Sequence, residues 1–144
     1  MVGRRGRRGR PLLILLDTHV LLWLRSGDRR LGRRARRTIE RALPRRHAAV
    51  SAISFWEVAM RLHGGRFDLF ADPEAWRRDL LAQGLVELPV NGLIGVRAGL
   101  LPGLRGDPAD RLIVATALEG HQLLTADSQI LEWPGKLNRI DASE

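Results

Sequence analysis

The sequence contains no cysteine. That excludes a disulfide framework, a thiolate nucleophile and the sulfur-bearing zinc cages, so any metal must be held by oxygen or imidazole. Such donors suit hard divalent cations, Mg2+ or Mn2+. Lysine is nearly missing too, Lys136 standing alone against 23 arginines. Long apolar runs are also lacking. The most apolar stretch, Leu12 to Leu16 and Val20 to Leu24, is broken by Asp17-Thr18-His19 and falls far short of the roughly 20 residues that span a bilayer. The basic start is not followed by an unbroken apolar stretch and a small-residue cleavage site, so neither a secretory signal nor a membrane partner is expected, and the cytoplasm is the expected compartment.

What is present is arginine, unevenly placed. Fifteen arginines against Asp17, Asp28 and Glu40 leave residues 1–46 at +12, while nine basic and thirteen acidic residues leave the remainder at −4. A basic front half attracts a polyanion and makes its binding salt-dependent. The Arg33 to Arg46 stretch is read either as an RNA-binding face or as a solvated helix surface. At 144 residues the chain has the size of one domain. Residues 1–11, a Gly/Arg segment without apolar periodicity, are expected to be a disordered tail, and residues 12–144 a single folded unit.

Leu12 to Leu16 is an unbroken apolar run, the pattern of a strand buried on both faces of a parallel sheet. A helix is expected from about Val20 to Leu24, and a second where Ala35, Ile39 and Leu43 recur at helical spacing, closed by Pro44. Ala48 to Ser51 reads as a strand. A helix then opens at Ser54 and stops at Gly64-Gly65. Asp72-Pro73 starts a helix ending at Gly84, Leu85 to Pro89 is a strand, and Asn91 to Leu101 is a helix. Asp107-Pro108 opens another that stops at Gly120. Gln122 to Thr125 is a strand, Ser128 to Trp133 a short helix and Leu137 to Ile140 a last strand. Strands alternating with helices imply an α/β fold with a mostly parallel sheet covered on both sides.

Ligands of such sheets bind outside the carboxyl ends of the strands, and acids recur there. Asp17 follows the first strand, Asp127 follows the fourth, Glu57 lies in the helix after the second and Asp110 in the first turn of the helix before the fourth. With strand order 3-2-1-4-5, all four would meet at one rim. Crowded carboxylates repel one another and raise their own pKa values; a divalent cation removes that repulsion and can activate water and neutralise a phosphoryl oxygen. Each acid also has an ordinary reading. Asp17 and Asp127 fit helix caps, Ser54-x-x-Glu57 fits a capping box, Asp110 suits the positive end of a helix, and Asp107 is read as a cap alone. His19 is expected to be partly buried and satisfied by backbone rather than to touch phosphate. Trp23, Trp56, Trp76 and Trp133 are read as core or dimer contacts rather than base-stacking platforms.

Four blocks carry a resemblance: Leu15-Leu16-Asp17-Thr18-His19-Val20-Leu21-Leu22-Trp23, Ser51-Ala52-Ile53-Ser54-Phe55-Trp56-Glu57-Val58-Ala59, Asp107-Pro108-Ala109-Asp110-Arg111-Leu112-Ile113-Val114-Ala115 and Leu124-Thr125-Ala126-Asp127. In this order they resemble the signature blocks of PIN domains, in particular VapC-like toxin ribonucleases, over residues 12–141. The resemblance implies a three-layer α/β/α sandwich around a five-stranded sheet, Mg2+ or Mn2+ dependence, endonucleolytic cleavage of RNA, a homodimer and inhibition by a cognate antitoxin. Carried over, it makes Asp17 and Asp110 the principal metal ligands, Glu57 and Asp127 the completing acids, and Thr18 and Thr125 the hydroxyls that hold the carboxylates. Related sequences often have His and Phe where this chain has Arg105 and Ala109, which bears on substrate or antitoxin contacts and not on the metal site. Two rival readings are a non-catalytic RNA-binding or antitoxin-binding protein of this fold and a receiver-type phosphoacceptor domain, which would need a lysine near its acids. A DNA substrate in place of RNA is a further alternative.

Overall fold

The computed structural model of the chain describes residues 12–63 and 72–144. The expected tail at residues 1–11 and the expected helix stop at Gly64-Gly65 lie outside the described residues. The elements run β1 (Ile14–Leu16), α1 (Thr18–Ser26), α2 (Arg33–Ala42), a 3-10 turn (Leu43–Arg45), β2 (Ala48–Ser51), α3 (Ala52–His63), α4 (Pro73–Ala82), β3 (Val86–Leu88), α5 (Gly92–Leu100), α6 (Pro108–Ala117), β4 (Gln122–Thr125), α7 (Ser128–Glu132) and β5 (Arg139–Asp141).

The sheet order is β3-β2-β1-β4-β5 and every pairing is parallel, with Ile14 opposite Ala48 on one side and Gln122 on the other. The expected strand order and alternation are therefore met. The pleat explains why β1 is apolar throughout: alternate side chains feed opposite layers. Leu16, Val50 and Leu124 pack with α1, α2, α3 and α4 on one face. Leu15, Ala49 and Leu123 pack with α6 and α7 on the other. The result is a three-layer α/β/α sandwich, with α5 lying against α6 through Ile94, Ala98 and Ala115.

Local chemistry sets the helix ends. Asp17 is extended (ψ 169°) and caps α1 two residues earlier than apolar periodicity predicts, and Gly27 ends it in the left-handed region at φ 68°. Pro44 does close α2, through the 3-10 turn that takes in Leu43. In α3 the expected start is wrong. The helix begins at Ala52, and Ser51 Oγ accepts from the Ile53 amide at 3.2 Å. Ser54 thus sits inside the helix, fully buried, and the Ser54-Glu57 capping box does not exist. Asp72, Asn91 and Asp107 cap α4, α5 and α6, as their Asp-Pro and Asn-Gly starts suggest.

Candidate active site

Parallel strands bring the ends of β1, β2 and β4 to one rim: Asp17 and Asp127 stand at the junctions after β1 and β4, Glu57 lies in the helix after β2, and Asp110 lies in the first turn of α6, which precedes β4. Asp17 directly follows β1 and is 5 % exposed. Its two oxygens have different partners: Oδ1 accepts from the Val20 amide at 2.8 Å as a helix cap, and Oδ2 accepts from the Thr125 hydroxyl at the end of β4. Thr125 Oγ1 accepts in turn from the Asp127 amide at 3.1 Å. Asp127 caps α7, its Oδ1 accepting from Gln129 at 2.8 Å. One hydroxyl therefore ties Asp17 to Asp127 across the β1–β4 pairing.

A second chain of hydroxyls reaches Glu57. Thr18 Oγ1 donates to Glu57 Oε1 at 2.5 Å and lies 2.8 Å from Ser54 Oγ. Since the Thr18 proton is committed to the carboxylate, Ser54 donates to Thr18. Thr18, Ser54 and Glu57 are all buried. Asp110 sits in the first turn of α6, half-buried, and among the described residues its carboxylate accepts no hydrogen bond. The next residue, Arg111, ties α6 to the end of α5: its guanidinium donates to Ala98 O at 3.0 Å and Leu101 O at 2.9 Å, and also to the carbonyls of Gly99 and Leu104. Those are carbonyls at the end of α5 and in the loop that leads to Asp107.

The electrostatics record the crowding. Burial pushes the Asp17 carboxyl up, against the hydrogen bonds from Thr125 and Val20 and the charge of His19, and with the repulsion of Asp127. Burial likewise raises Glu57, offset by the Thr18 bond and by Arg61 and His19 but reinforced by Asp107. Asp110 is pushed up to about 7, by burial first and then by repulsion from Asp127, Glu57, Asp107 and Asp17. Five carboxylates thus share one field. Among the described residues no three His, Asp or Glu side chains form a preformed ligand cage, so the fit to a cation lies in donor chemistry and charge. The donors are oxygen only, and the concentrated negative charge is what a hard divalent ion neutralises.

The reading from sequence missed several residues. Ser54 was assigned to a cap and instead supports Thr18. Asp107 does cap α6, accepting from Ala109 at 2.9 Å, yet its charge also acts on Glu57 and Asp110. Arg61, one helical turn after Glu57 at 3.7 Å, was not singled out, although the i,i+4 spacing carries the signal. His19 is corrected: it is exposed, and its Nε2 faces the Arg61 guanidinium at 3.3 Å rather than backbone. Trp76 and Trp133 are core and Trp23 packs against it, whereas Trp56 is 52 % exposed beside Met60. Lys136 lies in the chain before β5, at the start of a parallel strand and not at the strand ends where the acids follow, which argues against a phosphoacceptor site.

The PIN domain family model matches residues 14–136, and the chain belongs to the PIN domain family. Ribonuclease VapC22 of Mycobacterium tuberculosis (strain ATCC 25618 / H37Rv) is 36% identical over 119 residues, which cover 81% of this chain and 88% of that protein. Among solved structures, a toxin-antitoxin complex from Klebsiella pneumoniae aligns with TM-score 0.61 at 22% identity over 90% of this chain and 97% of its own. DNA-bound VapBC from Salmonella typhimurium aligns with TM-score 0.64 at 18% identity over 90% and 98%. At those identities the two structures attest the fold. No helix among the described residues is long and apolar enough to cross a membrane.

Proposed function

We propose that this protein is a metal-dependent endoribonuclease, the toxin of a type II toxin-antitoxin pair, acting on RNA in the cytoplasm. The observation that carries the reading is the convergence of Asp17, Glu57, Asp110 and Asp127 at one rim of the sheet, with Asp110 pushed up to about 7 by burial and then by its acidic neighbours. Its relative is named a ribonuclease, and the structures it resembles are toxin-antitoxin complexes, so a cognate antitoxin is the expected protein partner. We infer further that residues 12–144 form the nuclease unit, with residues 1–11 a basic tail, and that the protein works as a homodimer.

Asp17, Asp110, Asp127 and Glu57 would hold Mg2+ or Mn2+. When bound, the ion lowers the pKa of water and neutralises charge on the phosphoryl oxygen. The chain's own part is orientation. Thr125 and the Val20 amide fix both oxygens of Asp17, so that carboxylate has one orientation available. The Ser54–Thr18 relay holds Glu57 by Oε1 and leaves Oε2 turned to the Arg61 side. Asp110, its carboxyl pushed up to about 7, would release its proton to hold the cation.

Purified protein incubated with single-stranded RNA should cut it internally with Mn2+ or Mg2+ and stop with chelator. Asp17→Asn and Asp110→Asn should be inactive while still folded, and a DNA of the same sequence should be cut more slowly. Cleavage that survives chelation, or full activity in either variant, would overturn the proposal.

A further inference from the structure

We propose that His19 and Arg61 form a phosphate clamp beside the carboxylates, holding an RNA phosphodiester that the acids alone would repel. The inference rests on the ribonuclease reading and adds to it the residues that seat the substrate. Asp17, Glu57, Asp107, Asp110 and Asp127 concentrate negative charge at one rim, and a polyanion must approach that rim to be cut. Arg61 is a cation whose field acts on Glu57, and the His19 imidazole stands beside it, close to Asp17 and Glu57.

The geometry of the pair suits an anion. His19 follows Thr18 in the first turn of α1, where the unsatisfied amides and the positive end of the helix also favour negative charge. Its ring is exposed and leans on Trp23 at 6.3 Å with a 53° tilt, so the imidazole has a fixed wall behind it and an open side. Arg61 comes from α3 and meets His19 at 3.3 Å. A guanidinium only donates, so His19 Nε2 accepts and carries its proton on Nδ1. The contact from Arg61 to Glu57, 3.7 Å, is longer than a hydrogen bond, an ion pair loose enough to give way to a stronger acceptor. A phosphate oxygen in the angle between the two side chains would accept from the guanidinium, a charge-assisted bond of the kind arginine makes best. His19 is exposed and belongs to no core, and Arg61 is partly exposed, one turn of α3 beyond buried Glu57.

The test is the salt dependence of binding to a short labelled single-stranded RNA, read by anisotropy in chelator so that nothing is cut, for wild type, Arg61→Gln, Arg61→Lys, His19→Gln and a control at exposed Arg78 on α4. Affinity for Mn2+ without RNA is measured on the same samples. Arg61→Gln should weaken RNA binding about tenfold and lower the salt slope by about 0.7, the value of one single-strand phosphate. Arg61→Lys should restore the slope, His19→Gln should weaken binding with the slope kept, and Mn2+ affinity should stay within about twofold in all of them. A full slope in Arg61→Gln, or a loss of Mn2+ affinity that parallels the loss of RNA binding, would overturn the clamp and make Arg61 a support for Glu57. Wild type that cuts RNA while Arg61→Gln keeps its slope refutes the clamp alone; wild type that neither binds nor cuts RNA refutes the nuclease reading and the clamp with it.

Discussion

Replacing Asp110 with asparagine should make the metal-free protein more stable while abolishing its activity. Asp110 is held at about 7 instead of 3.8 because it is partly buried among four other acids. At about 1.4 kcal/mol per pK unit the ionised side chain would cost the fold up to about 4 kcal/mol. The carboxylate is partly open to water, which screens that repulsion, so about 2 kcal/mol is the working figure. Asparagine has nearly the same shape and no charge. For a chain of this size 2 kcal/mol corresponds to a rise in Tm of roughly 4–8 °C.

The sign of the pH dependence is fixed by the raised pKa. Below about pH 4 the carboxyl is protonated in both folded and unfolded chains, and the variant should match wild type. Between about pH 4 and pH 7 the unfolded chain releases the proton and the native one keeps it, so wild-type stability falls as pH rises, and above about pH 7 the deficit is full. Urea melts in chelator across that range, scored by the midpoint at constant slope, measure it. Added Mn2+ should reverse the ranking, since only wild type gains from binding. A variant less stable than wild type at neutral pH in chelator, or a difference that ignores pH, would refute the claim that crowding strains this site.

Further outcomes follow from the same geometry. Thr125→Val removes the hydroxyl shared by Asp17 and Asp127 and should lower Mn2+ affinity by about tenfold or more with a stability loss of about 1–2 kcal/mol, checked by calorimetric titration and urea melts. Mn2+ affinity in wild type should weaken as pH drops below about 7, because the ion must displace the proton on Asp110, and calorimetry in buffers of different ionisation enthalpy should detect that proton. Arg111→Ala leaves the carbonyls of Ala98, Gly99, Leu101 and Leu104 without their common donor and should destabilise by about 3 kcal/mol or more in a chemical melt, with Arg111→Lys recovering little. Gly84→Ala should lose about 2–3 kcal/mol by the same assay, since φ is 111° and a Cβ would sit 2.0 Å from Leu43 O.

Much of the architecture was readable because the central strands β1, β2 and β4 are largely buried on both faces. Leu12 to Leu16 and Gln122 to Thr125 have no amphipathic alternative, so run length and flanking helices fix both strand type and parallel pairing. The helix starts were readable only where side-chain chemistry marks them. Asp107-Pro108 does so plainly, whereas α3 begins on Ala52, whose cue is a Ser51 side chain folded onto the Ile53 amide. A serine followed three residues later by glutamate imitates a capping box, and nothing local reveals that Ser54 is turned inward toward Thr18, 36 residues back in the chain. The exposure of His19 was hidden for the same reason: its environment is set by Arg61 and Trp23, and long-range packing is absent from any window of sequence.

The acids teach the more general point. Treating helix cap and functional carboxylate as competing explanations for Asp17 or Asp127 assumes that one side chain does one thing, and the geometry at both leaves room for the two together. Oδ1 of Asp17 caps α1 while Oδ2 is held by Thr125, and Asp127 caps α7 through Oδ1 while its amide is tied to the same threonine. A cap sits where a strand has just ended and a helix begins, which in a parallel sheet is also where ligands bind. Capping removes rotamer freedom from the carboxylate and points it along the rim, so a residue selected for the cap is already oriented for a cation. The two roles are compatible, and at Asp17 and Asp127 the cap is no argument against a place in a shared site.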